Sequence, residues 1–131
     1  MNSPAHDVVQ MLAADSGLAL TETVDLFASR LPASPDFCVA VYDYAGEEKL
    51  HGLDYWRPRV QVKVRGDIDG YAAAYAVAEG IRDVLDAVGM LEFNGAYYVG
   101  IWSLHDPAAL PYDDKGRPIL VMNFKIHRQT I

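Results

Sequence analysis

Residues 59–89 read RVQVKVRGDIDGYAAAYAVAEGIRDVLDAVG. In the first part a valine at every second position alternates with arginine, glutamine or lysine, and this period of two predicts a strand over 59–65 with one buried face. From Tyr71 onward the apolar residues recur at spacings of three and four, which predicts a helix with one buried stripe. Asp67 and Asp69 precede this helix as candidate N-terminal caps, and Gly89 stands where a left-handed C-terminal cap is common.

Length and composition favour one small globular domain. A chain of 131 residues has the size of one domain with one core, so we expect a single domain over residues 1–131. The net charge of −7 argues against a general nucleic-acid binder, which is usually basic. No apolar run approaches the ~20 residues that cross a bilayer, and we expect no membrane association. Cys38 is the only cysteine, which excludes an internal disulfide.

Further strand-like and helical segments lie on both sides of residues 59–89. Asn94-Gly95 separates two apolar runs and is a strong hairpin signal, because a type I′ turn needs positive φ at both positions. We expect a loop at 45–55 and a polar connection at 106–118, and the apolar spacing at 21–31 is compatible with one or two helical turns. These patterns predict an α+β fold with a four- to five-stranded, mostly antiparallel (mixed) sheet and two helices packed on one face. The predicted strands are 37–44, 56–65, 90–93, 96–104 and 119–127, and the predicted helices are 5–14 and 69–88.

Residue types that could carry catalysis or bind a metal are dispersed along the chain. None of the histidines forms the i, i+4 pair of a helical zinc site, and Cys38 has no second cysteine to join it as a ligand. His105-Asp106 could act as a base with its orienting carboxylate, but a strand end that enters a loop is the simpler explanation. We therefore expect that the protein is not an enzyme and needs no metal and no cofactor.

A row of basic side chains lies on the polar side of the predicted strand. One interpretation is a solvated sheet face; the other is a docking surface whose arginine forks bind carboxylates of a neighbouring subunit. A chain with a net charge of −7 offers many acidic patches for such a contact. The candidates are Arg57, Arg59, Lys63 and Arg65 on the basic side and Glu47, Glu48, Asp113 and Asp114 on the acidic side.

Several segments, in their order and spacing, resemble the tail-terminator or minor capsid proteins of long-tailed bacteriophages. The resemblance implies an α+β subunit that forms a hexameric ring on the end of the tail tube, stops tube polymerisation and presents a surface for head attachment. It also implies a place in the tail or neck of the virion, with assembly in the host cytoplasm. The implied partners are the tail tube protein and a head-completion or connector protein, while DNA passes through the lumen without specific binding. The segments are Leu26–Pro32, Pro35–Tyr42, Arg57–Gly66, Asn94-Gly95 with Tyr98, Ile101-Trp102 and Gly116–Pro118.

Two other functions stay open at this point. Another neck component, such as a head-closure or tail-adaptor protein, uses the same kind of small sheet. A small enzyme with a cleft between helix and sheet is the other alternative. A ring in electron micrographs would separate an assembly protein from an enzyme, and the position within the virion would separate a terminator from an adaptor.

Overall fold

The computed structural model describes residues 1–130 as an α+β fold with two helices and seven strands. The helices are α1 (Pro4–Ala14) and α2 (Tyr71–Asp86). The strands are β1 (Leu26–Ala28), β2 (Cys38–Glu47), β3 (Tyr55–Arg65), β4 (Gly89–Phe93), β5 (Ala96–Ser103), β6 (Ala108–Leu110) and β7 (Ile119–Thr130).

The strands form one curled, mixed sheet in the order β1-β2-β3-β7-β5-β4. β7 is the central strand, because it pairs with β3 on one side and with both β5 and the short strand β6 on the other. β1 pairs with β2 in parallel, and every other pair of named strands is antiparallel. The α+β class is therefore confirmed, but the predicted count of four or five strands is too low.

The two strands that the sequence patterns do not predict are β1 and β6. Each has only three residues, which is too short for a period of two to stand out. β1 falls in the segment whose spacing is compatible with helical turns, and its parallel pairing with β2 depends on residues outside that segment. β6 consists of exposed residues inside the predicted polar connection. Pairing with the next strand of the chain, rather than a period within the segment itself, makes both segments extended.

The first long hairpin has a shorter loop than the sequence suggests. β2 continues to Glu47, with a shift of register against β3 between Tyr44 and Glu47, so the loop covers 48–54 instead of 45–55. The turn at Asn94-Gly95 is as predicted, with φ of 49° and 78° at the two positions.

The ends of α2 differ from the prediction. Gly70 is the N-cap residue and no side chain caps the helix, so neither Asp67 nor Asp69 has the expected role. Gly89 begins β4 and does not adopt a positive φ, whereas Met90 after it does, at 51°. Only Ala87 and Val88 separate the helix from the strand, and the positive φ falls one residue later than a glycine cap would place it.

One hydrophobic cluster joins both helices to the sheet. Its members on α2 include Ile81 and Leu85, and its members on β3 are the alternating valines at 60, 62 and 64. Two side chains fix the start of α1: Ser3 Oγ accepts a hydrogen bond from the His6 amide at 3.2 Å, and Asp43 Oδ1 of β2 accepts one from the Ala5 amide at 2.8 Å. The other alternating residues of β3 lie on the opposite, partly exposed face of the sheet.

Replacing Leu85 by alanine should lower the free energy of unfolding by about 2–5 kcal/mol, because its side chain is 0% exposed in this cluster and its removal leaves a cavity. Leu53→Ala is the matched control, since Leu53 is 58% exposed and its truncation should cost less than about 0.5 kcal/mol. Denaturant melts of both variants measure the difference. Equal losses for the two variants would contradict the packing of α2 against the sheet.

Candidate assembly surface

The polar face of the sheet carries a row of cations and aromatic rings that comes from four strands. Tyr44 of β2 lies opposite Arg59 of β3, Arg59 lies opposite Lys125 of β7, and Lys125 lies opposite Trp102 of β5. Lys63 lies on the same face, because it is separated from Arg59 by an even number of residues along β3. We call this set the basic face: Tyr42, Tyr44, Arg59, Gln61, Lys63, Trp102 and Lys125.

The cations of the basic face have no acidic partner within residues 1–130. Salt bridges within that range do not involve Arg59, Lys63 or Lys125. The two lysines lie over aromatic rings instead, Lys63 with its Nζ 5.5 Å from the ring centre of Tyr42 and Lys125 at the same distance from Trp102. The Nε of Arg59 is buried without a hydrogen-bond acceptor. These positive charges are therefore not neutralised inside the subunit.

His127 lies beside the basic face and adds no charge to it at neutral pH. Its Nδ1 is 2.8 Å from the hydroxyl oxygen of Tyr55, and its ring packs edge-on against Tyr55 and Trp102. Burial, followed by the positive charges of Lys125 and Arg57, lowers the pKa of His127. Because its pKa is lowered, the imidazole stays neutral at neutral pH.

A hollow of about 390 Å³ opens on the basic face between β2 and β3. The rings of Tyr42 and Tyr44 and the polar ends of Gln61 and Lys63 line it. Asp43 also contributes to its wall, but the carboxylate of Asp43 already accepts the hydrogen bond that fixes the start of α1. The hollow thus combines aromatic walls with a cation at its edge.

The structure brings Arg57 and Glu47 together within one hairpin. Arg57 Nη1 lies 2.7 Å from Glu47 Oε2, and two further nitrogens of Arg57 donate to the backbone carbonyl of Glu48. Arg57 is therefore engaged inside the subunit with one of the acids that the sequence analysis offers as a partner on a neighbour. The side chain of Glu48 is exposed, and no salt bridge within residues 1–130 involves it.

Arg65 does not belong to the exposed row, which corrects the sequence-based assignment. It is 3% exposed, and its guanidinium donates to the backbone carbonyls of Pro32, Pro35 and Asp36 at 2.5–2.9 Å. The alternation of β3 gives the correct face for Arg65, but the proline-rich loop at 32–36 folds over that end of the strand. Arg65 therefore holds this loop in place.

Asp113 is also engaged inside the subunit. Its Oδ2 accepts from Arg117 Nε at 2.7 Å, and Arg117 Nη1 donates to the carbonyl of Ala33 at 2.7 Å and to Asp36 Oδ1 at 3.2 Å. Burial alone would raise the pKa of Asp113, but hydrogen bonds from the backbone and side chain of Arg117 hold it below its usual value. Asp114, next in sequence, is exposed and has no salt bridge within residues 1–130.

A buried polar cluster that the sequence patterns do not indicate lies near the C-terminal end of β7. The Tyr98 hydroxyl donates to Asp7 Oδ2 at 2.5 Å, and Arg128 Nη1 lies 3.4 Å from the same oxygen and 3.1 Å from the Tyr98 hydroxyl. Asn94 Nδ2 donates to Asp7 Oδ1 at 2.8 Å. Burial and then the hydrogen bond to Asp7 raise the pKa of Tyr98 far above its usual value, so the phenol stays protonated and donates. The cluster ties α1 to β5, β7 and the hairpin turn.

The groups considered for catalysis are placed apart. Burial raises the pKa of the Cys38 thiol, which favours the unreactive protonated form. His105 Nδ1 contacts the backbone carbonyl of Asp106 at 2.6 Å rather than its carboxylate, and His105 Nε2 is 2.9 Å from Asn123 Nδ2. Within residues 1–130, no group of three or more histidine, cysteine or acidic side chains could hold a metal ion. No helix in the same range has the length and apolar character needed to span a membrane.

The sequence model of the family described as bacteriophage tail terminator protein matches residues 11–130. The chain belongs to this family. It is therefore a structural protein of the phage tail and virion that assembles with other virion proteins. The family resemblance that the sequence analysis notes is confirmed.

Solved structures share the fold of this tail terminator family member. One, described as the virion of a native gene transfer agent particle, gives a TM-score of 0.76 at 19% identity and covers 97% of this chain and 95% of that chain. A second gives a TM-score of 0.55 at 12% identity and covers 98% of this chain and 97% of that chain. The search of curated proteins gives no match. At these identities the likenesses show the fold alone.

Replacing Tyr98 by phenylalanine should lower the free energy of unfolding by about 1.5–3 kcal/mol, because it removes a buried hydrogen bond to a charged group. Tyr97→Phe is the matched control on the same strand. The Tyr97 hydroxyl makes only an exposed contact with the sulfur of Met90, so its removal should cost less than about 0.5 kcal/mol. Urea melts measure both. A Tyr98→Phe variant as stable as the wild type would contradict the role of the cluster.

The Asp113–Arg117 interaction should make stability depend on pH in acid. The folded-state pKa of Asp113 lies below the unfolded value of about 3.9, so its contribution is complete above that value and is lost as the pH falls through the folded-state pKa. The difference in melting temperature between wild type and Asp113→Asn should therefore be largest above pH ~4 and shrink below it. Asp114→Asn controls for the loss of one charge in this turn. A difference that is constant with pH would contradict the assignment.

Proposed function

We propose that the subunit forms a ring, hexameric by the family resemblance, that caps the tail tube, ends tube polymerisation and provides the surface for head joining. The match of the tail terminator family model over residues 11–130 carries this proposal. The fold supports it, because a small rigid subunit with a partly exposed sheet face can present that face to a neighbour or to the tube. The proposed partners are other copies of the chain, the tail tube protein and a head-completion or connector protein.

The basic face is the proposed contact surface. Arg59, Lys63 and Lys125 lack acidic partners within residues 1–130, so contact with a carboxylate of another chain does not first require breaking an internal salt bridge. Aromatic rings beside them fit a protein contact, because tyrosine and tryptophan are enriched at interfaces. Of the candidates from the sequence, Arg59, Lys63, Glu48 and Asp114 remain free for this role, whereas Arg57, Glu47, Arg65 and Asp113 act within the subunit.

DNA is proposed to pass through the lumen of the ring without specific binding. The net charge of −7, with Arg59, Lys63 and Lys125 on one face, leaves the remaining surface more acidic still. An acidic lumen repels the phosphate backbone and limits nonspecific adhesion. In this proposal the protein has no enzymatic activity and uses no metal or cofactor, and it acts in the virion after assembly in the host cytoplasm.

Reversing two charges of the basic face, Arg59→Glu with Lys63→Glu, should prevent formation of head-competent tails of normal length. Like charges would then face the acidic partner surface, and tubes without a terminator would continue to grow. The measurement is a phage assembly assay in which micrographs give the tail length and infectivity gives head joining. Circular dichroism of the purified variant shows that the subunit is folded.

The matched control is Arg30→Glu with Lys49→Glu, which changes the net charge equally at exposed positions outside the basic face. This control should assemble normally. Arg65 is not among the reversed charges, because it is buried and its replacement by glutamate would disturb the fold. If the Arg59 and Lys63 variant gives normal-length, head-competent tails, the basic face is only a solvated surface.

A further inference from the structure

The loop between β3 and α2 presents an exposed apolar side chain flanked by acids. Ile68 is 56% exposed, and the exposed Asp67 and Asp69 flank it in sequence. The turn that carries Asp114 lies against this loop, because the Asp69 amide donates to the carbonyl of Gly116 at 3.2 Å. We call the set Asp67, Ile68, Asp69 and Asp114 the acidic knob.

The backbone of the acidic knob is fixed by internal hydrogen bonds. The Gly70 amide donates to the carbonyl of Asp67 at 2.8 Å, and the Gly66 amide donates to the carbonyl of Pro118 at 2.9 Å. Gly66 cannot carry a side chain without displacement of its surroundings, because a Cβ there would lie 2.9 Å from the Cβ of Ala74. Arg117 holds the adjoining turn through Asp113. The knob is thus ordered before any contact, which lowers the entropic cost of binding.

The hollow on the basic face has the complementary chemistry. Tyr42 and Tyr44 form apolar walls, Lys63 lines the edge, and Arg59 lies directly opposite Tyr44 in the neighbouring strand. The knob has an apolar tip flanked by three exposed carboxylates, with Lys115 next to Asp114. The hollow has aromatic walls and a lysine at its edge, and its one acid, Asp43, already accepts the hydrogen bond from the Ala5 amide. Within residues 1–130 no salt bridge joins the two, so each is free to meet the other on a different copy.

We propose that the acidic knob of one copy enters the hollow of the next copy around the ring. Ile68 lies between Tyr42 and Tyr44, and the carboxylates of Asp67 and Asp114 face Lys63 and Arg59. The partner at the basic face is therefore a second copy of this chain. A contact between two different patches of one chain generates a closed ring when the rotation fits. This inference rests on the ring of the proposed function and specifies which surfaces form it.

Engineered cysteines test the contact directly. Cys38 is the only native cysteine and is 0% exposed, so a variant with Tyr44→Cys and Ile68→Cys carries one reactive thiol on each proposed surface. After mild oxidation of protein assembled on tails, we expect a ladder of covalent oligomers on a denaturing gel. Each single-cysteine variant should give no ladder, because it lacks the second thiol. Rings in micrographs without a ladder would overturn the knob-and-hollow contact but keep the proposed function.

A charge swap tests the same contact without cysteines. Asp67→Lys with Asp114→Lys reverses the knob and leaves Asp69, whose φ is +58°, unchanged. Arg59→Glu with Lys63→Glu reverses the hollow. Each pair alone should abolish normal tails, and the four changes together should restore their yield by about ten-fold or more over either pair, since coupled charges compensate across a contact.

An equal mixture of the two half-variants gives the sharpest outcome. A copy with a reversed knob can pair on both sides with copies that have a reversed hollow, so the two kinds can alternate around a ring with an even number of subunits. The mixture should therefore assemble although each variant alone does not. No recovery in the mixture and none in the four-fold variant would overturn the inference. Absence of any ring in wild-type tails would overturn both the inference and the proposed function.

Discussion

The antiparallel pairing of β3 with β7 determines both the core and the charged surface of this subunit. The pairing runs from Tyr55 opposite Gln129 to Arg65 opposite Ile119. It places the valines of β3 beside the buried apolar residues of β7, and it places Arg59 opposite Lys125. A slip of one residue would turn the cations of β3 into the core, at a cost that no contact within the subunit could offset. Core burial therefore specifies where the positive charges appear on the surface.

The arginines of the chain show why residue type alone does not reveal a role. Arg65, Arg117 and Arg128 are at most 7% exposed and hold loops or termini by donating to carbonyl and carboxylate oxygens. Arg59 lies on the same strand as Arg65 and on the same face, yet it has no acidic partner within residues 1–130. The difference arises from the chain segments that cover one end of β3. The buried guanidiniums hold neighbouring segments in place, whereas the partly exposed Arg59 leaves its charge without an acidic partner.

The features predictable from sequence are those set by local patterns. The alternation in β3, the helical stripe of α2 and the positive φ values at Asn94-Gly95 each depend on neighbouring residues. β1 and β6 form through pairing with the strand that follows each of them, and no period within three residues could indicate them. The residues of the candidate site also differ in whether a local pattern or a contact with another segment determines their position. Alternation gives the correct face for Arg59, Lys63 and Arg65, but it does not show that the loop at 32–36 covers Arg65 on that face.

Charge distribution also limits how copies of this chain can meet. Two basic faces brought together would place unneutralised cations against one another, and two acidic knobs would do the same with carboxylates; both arrangements are repulsive. Symmetric pairing through either patch is thus disfavoured, and contact between unlike patches remains. Such a contact leaves one free knob and one free hollow at the ends of every open chain of subunits. When the chain of subunits closes into a ring, the free knob binds the free hollow. In this arrangement the repulsion between like patches therefore favours a ring over a symmetric dimer.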